Sequence, residues 1–236
     1  MNNILRTRNL YKEFDGLVAT DGLNYELERG ELECIIGPNG AGKTTFFDLI
    51  TGSLAPNRGT VEFDGEDITG LPIHEIARRG MVRKYQTPAV YEEISVRRNI
   101  GIALGKNGPE NPDERTDEIL DRIELLSVQH QSAGSLDHGR KQWLEIGMVL
   151  ANDPQLVLLD EPTAGMTGSE TSRTAELIVE IIRQEDVSII AIEHDIDFVR
   201  QLNCLITVLH QGKVLTTGSI DDIERNESVQ EVYLGR

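Results

Sequence analysis

The chain has 236 residues, of which 39% are hydrophobic and 27% charged, and a formal net charge of −17. This length supports a full core in one domain, with or without subdomains, and the composition is that of a globular protein. So acidic a chain disfavours broad electrostatic binding to nucleic acid or anionic lipid, and no run approaches the roughly 20 apolar residues that a membrane-spanning helix needs.

The start, Met1-Asn2-Asn3-Ile4-Leu5-Arg6, lacks the basic and then apolar run of a secretory signal. A membrane role is therefore expected to come through partner proteins. Residues 18–27, 31–36 and 60–63 alternate as strands, the last ahead of the turn Asp64-Gly65. A helix is predicted over 43–49, after a glycine-rich loop. A second should begin near Pro72 and stop at Gly80, with proline in its first turn and glycine past its last. The middle of the chain reads as a mostly helical insert over 87–150, with helices at 95–104, 113–126 and 139–150. In the second of these, Ile119, Leu120, Ile123 and Leu126 form one apolar face. Strand and helix then alternate. Residues 156–159 and 187–192 are continuous apolar runs, as in strands buried on both faces, with a helix over 169–183 between them. A hairpin over 205–217 turns at Gln211-Gly212, and short helical pieces follow. This order predicts a largely parallel sheet with helices on both faces. Cys34 and Cys204, the two cysteines, lie in apolar runs. They are expected as buried core thiols, not as a disulfide or metal site, in keeping with a reducing cytoplasm.

Gly37-Pro38-Asn39-Gly40-Ala41-Gly42-Lys43-Thr44 matches the phosphate-loop pattern in full, between an apolar strand and a helix. Its glycines let main-chain N–H groups point at phosphate oxygens, and the helix N-terminus adds partial positive charge. Lys43 is expected to reach the β- and γ-phosphates and Thr44 to ligate Mg²⁺, with Thr45 beside them. No Asn-Lys-x-Asp segment is present to read guanine. The apolar run 156–159 ends in Asp160-Glu161. Ligands of such folds bind beyond the carboxyl ends of the strands. Asp160 is therefore placed to hold Mg²⁺, directly or through waters, and Glu161 to polarise the attacking water. His194, after the run 187–192, is either a surface residue or a donor beside the γ-phosphate.

The segment Leu136-Asp137-His138-Gly139-Arg140-Lys141-Gln142 resembles the signature sequence of ABC ATPases, normally Leu-Ser-Gly-Gly-Gln. The phosphate loop, this segment, Asp160-Glu161-Pro162-Thr163 and His194 stand in ABC order and spacing, and the resemblance covers essentially the whole chain. It implies an α/β phosphate-loop NTPase fold with an antiparallel β-subdomain and a helical subdomain. Residues 1–236 would form one ABC ATPase domain, with 1–86 and 151–236 as nucleotide-binding core and 87–150 as helical subdomain. Phe14 looks like the aromatic that stacks on adenine, the alternative being a core aromatic. Gln86 looks like the glutamine that senses metal and γ-phosphate where core and insert join. Asp137, His138, Gly139 and Arg140 would cover ATP held by the opposite subunit. There Asp137 replaces a serine that donates to the γ-phosphate, and Thr167 stands where the family has aspartate in the loop that crosses between subunits.

A finer likeness is to ATPases of branched-chain amino acid and amide importers. It rests on Lys141-Gln142-Trp143-Leu144-Glu145-Ile146-Gly147-Met148, Pro162-Thr163-Ala164-Gly165-Met166-Thr167 and Val232-Tyr233-Leu234-Gly235-Arg236. Gln142-Trp143-Leu144-Glu145 and Tyr85-Gln86-Thr87-Pro88 look most like the D-type ATP-binding subunit of urea importers. The resemblance implies ATP and Mg²⁺ as ligands and a peripheral place on the cytoplasmic face of the inner membrane. It implies as partners a second ABC ATPase subunit, the same or related, two transmembrane permease subunits, and indirectly an extracytoplasmic solute-binding protein. Nucleic acid is not expected. A branched-chain amino acid importer, a soluble non-transport ABC ATPase and a catalytically weak regulatory subunit stand as alternatives.

Overall fold

The computed structural model describes residues 3–84, 89–105, 110–184 and 186–234. Strands β1 (Asn3–Phe14) and β2 (Leu17–Glu28) pair as a long antiparallel hairpin. Asp15 and Gly16 at its tip have φ of 47° and 90°, the positive values a tight hairpin turn requires. Strand β1 was not expected. Its register slips between Thr7 and Leu10, where Asn9 has φ 49°, so its buried Ile4, Leu5 and Leu10 do not keep one alternation.

Strand β3 (Leu32–Ile36) leads through the glycine-rich loop into α1 (Lys43–Ile50). Next come β4 (Arg58–Phe63) and β5 (Glu66–Asp67), which complete a four-stranded antiparallel sheet in the order β2-β1-β4-β5. Helix α2 (Ile73–Arg78) starts after Pro72 and stops before Gly80 as expected. It feeds β6 (Met81–Lys84), a short strand that Arg83 and Lys84 disguise in the sequence.

Helices α3 (Val96–Leu104), α4 (Pro112–Arg122) and α5 (His138–Leu150) share a core of Val96, Ile100, Ile119, Leu120, Ile123 and Leu144. Helix α4 ends before the expected residue 126. Glu124 takes φ 58°, the Leu125 N–H donates to the Leu120 carbonyl (2.8 Å) and the Glu124 N–H to Asp121 (3.0 Å). That reversal closes a helix most cheaply with glycine, and its use of glutamate hid the stop.

The remaining elements are β7 (Leu156–Asp160), α6 (Gly168–Gln184), β8 (Ser188–Ile192), α7 (Ile196–Leu202), β9 (Leu205–His210), β10 (Lys213–Gly218), α8 (Ile220–Arg225) and α9 (Glu227–Leu234). The second sheet has the order β10-β9-β3-β8-β7-β6, parallel except for the β9–β10 hairpin. Side chains alternate across it. Ile35, Leu158 and Ile190 pack with Phe46, Phe47 and Ile50 of α1 and with the antiparallel sheet. Cys34, Val157 and Ile189 pack on the other side with Leu177, Ile178 and Ile181 of α6 and with Phe198 of α7. The expected parallel sheet with helices on both faces is therefore present. Cys34 is buried, but Cys204 is only half-buried because it precedes the first residue of β9; both are free thiols with sulfurs 3.5 Å apart. Among the described residues no helix is long and apolar enough to cross a membrane.

Candidate functional site

Strands β3, β7 and β8 are adjacent and parallel, so Ile36, Asp160 and Ile192 end at one edge of the sheet. The loop after β3 needs glycine at more than one place. Gly40 and Gly42 have φ of 80° and 101°, and a Cβ on Gly42 would lie 2.4 Å from the Ala19 carbonyl oxygen. The loop is tied to its surroundings through the main chain. The Gly212 N–H donates to the Ala41 carbonyl (3.0 Å), and the Asp21 N–H to Gly212 (2.9 Å). Lys43 is buried, and its Nζ donates to the carbonyls of Gly37 (2.7 Å) and Pro38 (3.1 Å). Burial lowers its pKa, while the charges of Glu161 and Asp160 act in the opposite direction.

A cavity of about 330 Å³ opens over this loop. Phe14, Leu17 and Val18 at the tip of the β1–β2 hairpin line it together with residues 39–45, Glu161 and His194. Phe14 is 41% exposed, which excludes the core-aromatic alternative. Gly37 and Pro38 do not line the cavity; a Cβ on Gly37 would meet the Leu209 carbonyl oxygen at 2.3 Å.

Asp160 is buried at the end of β7. Its Oδ2 accepts from Arg83 Nη2 (2.5 Å), and Arg83 Nη1 donates to Asp48 Oδ1 of α1 (2.6 Å). Glu161 breaks out of the strand with φ 48°, its N–H donating to the Ile192 carbonyl (3.0 Å). This turn aims the side chain at β8, and Glu161 Oε1 lies 3.0 Å from His194 Nε2. His194 is exposed and lines the cavity. Of the two oxygen donors expected for a metal, Thr44 lines the cavity, whereas Asp160 does not and its Oδ2 is held by Arg83; the carboxylate that lines the cavity is Glu161. Among the described residues no cluster of three or more His, Cys, Asp and Glu could hold a metal by itself. So sparse a set of hard donors suits Mg²⁺, which usually takes one or two carboxylates and completes its shell with phosphate and water.

Asp137, His138, Gly139 and Arg140 do not line this cavity. Asp137 caps α5, its Oδ1 accepting from the Arg140 N–H (2.8 Å), and Arg140 Nε lies 3.7 Å from Asp137 Oδ2. His138 Nε2 lies 2.8 Å from the Ala164 carbonyl oxygen, and a Cβ on Gly139 would meet Glu170 at 2.6 Å. Thr167 immediately precedes α6, its hydroxyl donating to Glu170 Oε2 (2.6 Å). Gln86 lies outside the described residues. Sequence reasoning missed Leu17, Val18, Arg83 and Glu193 as parts of the site. Arg83 was hidden with its strand, Val18 was read only as a strand residue, and Leu17 lay outside the expected strand. Glu193 adjoins His194 in the sequence, but its Thr163 partner is distant in the chain.

Residues 20–164 match the family model described as ABC transporter. The chain is 34% identical over 249 residues to the high-affinity branched-chain amino acid transport ATP-binding protein BraF of Pseudomonas aeruginosa, covering 98% of each. It is 36% identical over 251 residues to the probable branched-chain amino acid transport ATP-binding protein LivG of Archaeoglobus fulgidus, covering 98% of this chain and 95% of that one. Among solved structures, the ADP conformation of an ATP-binding cassette of an ABC transporter superposes with a TM-score of 0.88 at 30% identity over 100% of both chains. Phosphate loop, paired carboxylates and histidine thus meet at one sheet edge in a chain that matches such cassettes end to end, and it belongs to the ATP-binding subunits of the ABC transporter family.

Proposed function

We propose that this chain hydrolyses ATP to power import of urea or short amides through partner permease subunits, from the cytoplasmic face of the membrane. The observation that carries the ATPase reading is the cavity itself, which gathers an exposed aromatic, the phosphate loop and the Glu161–His194 pair. Adenine stacks on Phe14, with Leu17 and Val18 as apolar neighbours. The main-chain amides of 39–45, Thr45 included, and the α1 N-terminus hold the phosphates, and Lys43 exchanges its two carbonyl contacts for β- and γ-phosphate oxygens. Mg²⁺ would be held by Thr44 and Asp160, with Gln86 as a further contact, and supplies neutralisation of charge on the phosphates. Glu161 takes the proton of the attacking water, and His194 holds Glu161 and donates toward the γ-phosphate.

The segment Asp137–Arg140 lies away from the cavity of its own chain, which supports a dimer in which it covers the partner's ATP. There the Asp137 carboxylate opposes the γ-phosphate by about 4 kcal/mol at 4 Å separation and an effective dielectric constant of about 20. Arg140, close to Asp137, offsets part of this. The composite site using this segment is therefore the weaker one, and the site using Lys43 and Glu161 is competent. Helices α3, α4 and α5, which share a core, pass closure on to the permease.

Glu161→Gln tests the chemistry: turnover should fall at least about a hundredfold while ATP binding persists. Surviving turnover would show that Glu161 is not the base. The relatives named for branched-chain amino acids support a second reading, import of those solutes. Uptake of labelled urea and labelled leucine in a strain lacking this chain separates the two. Loss of urea uptake alone supports the first, and loss of leucine uptake alone replaces it with the second.

A further inference from the structure

Glu193 follows the last residue of β8 and is 3% exposed, yet it does not line the nucleotide cavity. A carboxylate removed from water in this way is costly unless its oxygens are occupied. Here both are. Oε1 accepts from the Thr163 N–H (3.1 Å) and the Thr163 hydroxyl (2.8 Å), and Oε2 accepts from the His194 N–H (3.1 Å). Burial raises the Glu193 pKa, and the Thr163 and His194 hydrogen bonds work against that rise. The Glu193 N–H donates to the Ile35 carbonyl (3.3 Å), on the strand that feeds the phosphate loop.

These contacts close a ring. Glu161 meets His194 side chain to side chain at 3.0 Å. The His194 main chain is held by Glu193, and Glu193 holds Thr163, two residues past Glu161. Within the ring, the Ala164 N–H also donates to the Glu161 carbonyl (3.1 Å), so Thr163 and Glu161 belong to one tight turn. We propose that Glu193 is a positioning residue for ATP hydrolysis, whose carboxylate sets the spacing and aim of the Glu161–His194 pair. This rests on the reading of that pair as catalytic. Thr163 belongs to the same device, as the donor through which Glu193 grips the turn that carries Glu161. A carboxylate is required because the groups facing it, the Thr163 N–H and hydroxyl and the N–H groups of His194 and Asp195, are all donors. Glutamine would turn an N–H₂ toward either the His194 N–H or the Thr163 donors and break one side of the ring.

The test uses the full chain and three variants, Glu193→Gln, Thr163→Val and Thr163→Ser, with steady-state ATPase, ATP affinity and thermal unfolding measured for each. Glu193→Gln and Thr163→Val should lower kcat at least about tenfold while the Kd for ATP stays within about threefold, and Thr163→Ser should recover most of the rate. The proposal is overturned if kcat is retained in Thr163→Val, or if the fall in rate of that variant follows a loss of ATP affinity or of folded protein. Should Glu193→Gln not fold, Thr163→Val and Thr163→Ser decide the matter, since the hydroxyl is the smaller change. Glu161→Gln measured alongside keeps the two readings apart. Full turnover there removes the catalytic pair itself, whatever Glu193 does.

Discussion

Glu33 lies in the middle of the parallel sheet on β3, 4% exposed, and the Thr207 hydroxyl donates to its carboxylate. Burial pushes its pKa up to about 7 from an ordinary 4.5, the Thr207 hydrogen bond acting downward. Between those two values the folded chain keeps a proton that the unfolded chain has released. The stabilisation is therefore full below about pH 4.5 and is lost as pH rises to about 7. A difference of about 2.5, at about 1.4 kcal/mol each, makes this about 3.5 kcal/mol in all. Glu33→Gln removes the titration and keeps an acceptor for Thr207. Between pH 5 and 8 the parent should lose about 2–3 kcal/mol relative to the variant. Urea unfolding followed by Trp143 fluorescence measures it, because Trp143 is the one tryptophan and its Nε1 is bonded to Thr174. Groups remote from Glu33 contribute alike to both proteins and cancel from the comparison. If the two stability curves run parallel across this range, Glu33 is not the buried acid described.

Lys43→Ala should weaken Mg-ATP binding by about 1.5–3 kcal/mol, roughly tenfold to a hundredfold, as read by titration with a fluorescent ATP analogue. Unchanged affinity would remove the phosphate-loop reading altogether. Asp137→Ser should raise the ATPase rate of the assembled complex several-fold, because serine keeps the α5 cap and removes the carboxylate that repels the γ-phosphate. An unchanged rate would mean that Asp137 does not meet the partner's nucleotide.

Much was legible before folding because it is local. The phosphate loop carries its chemistry in consecutive residues, and the glycines it needs are forced by positive φ and by close approach of the Ala19 carbonyl. The apolar runs before Asp160 and His194 announced buried strands, and a parallel sheet brings the ends of such strands to one edge. Other features were concealed by local exceptions. Strand β1 hides its period behind a register slip at Asn9, and α4 stops at a left-handed glutamate where a glycine would have marked the end.

What the sequence determined by itself is the set of groups able to grip a triphosphate, since spacing along the backbone decides which neighbours share a loop. Only the tertiary structure decided how those groups are held. Arg83 reaches Asp160 and Asp48, and Glu193 reaches Thr163, because adjacent strands put residues far apart in the chain within hydrogen-bond distance. Glu33 became an acid with a pKa near 7 for the same kind of reason. Its ionisation depends on the water excluded by packed neighbours, and no pattern of adjacent residues records that exclusion.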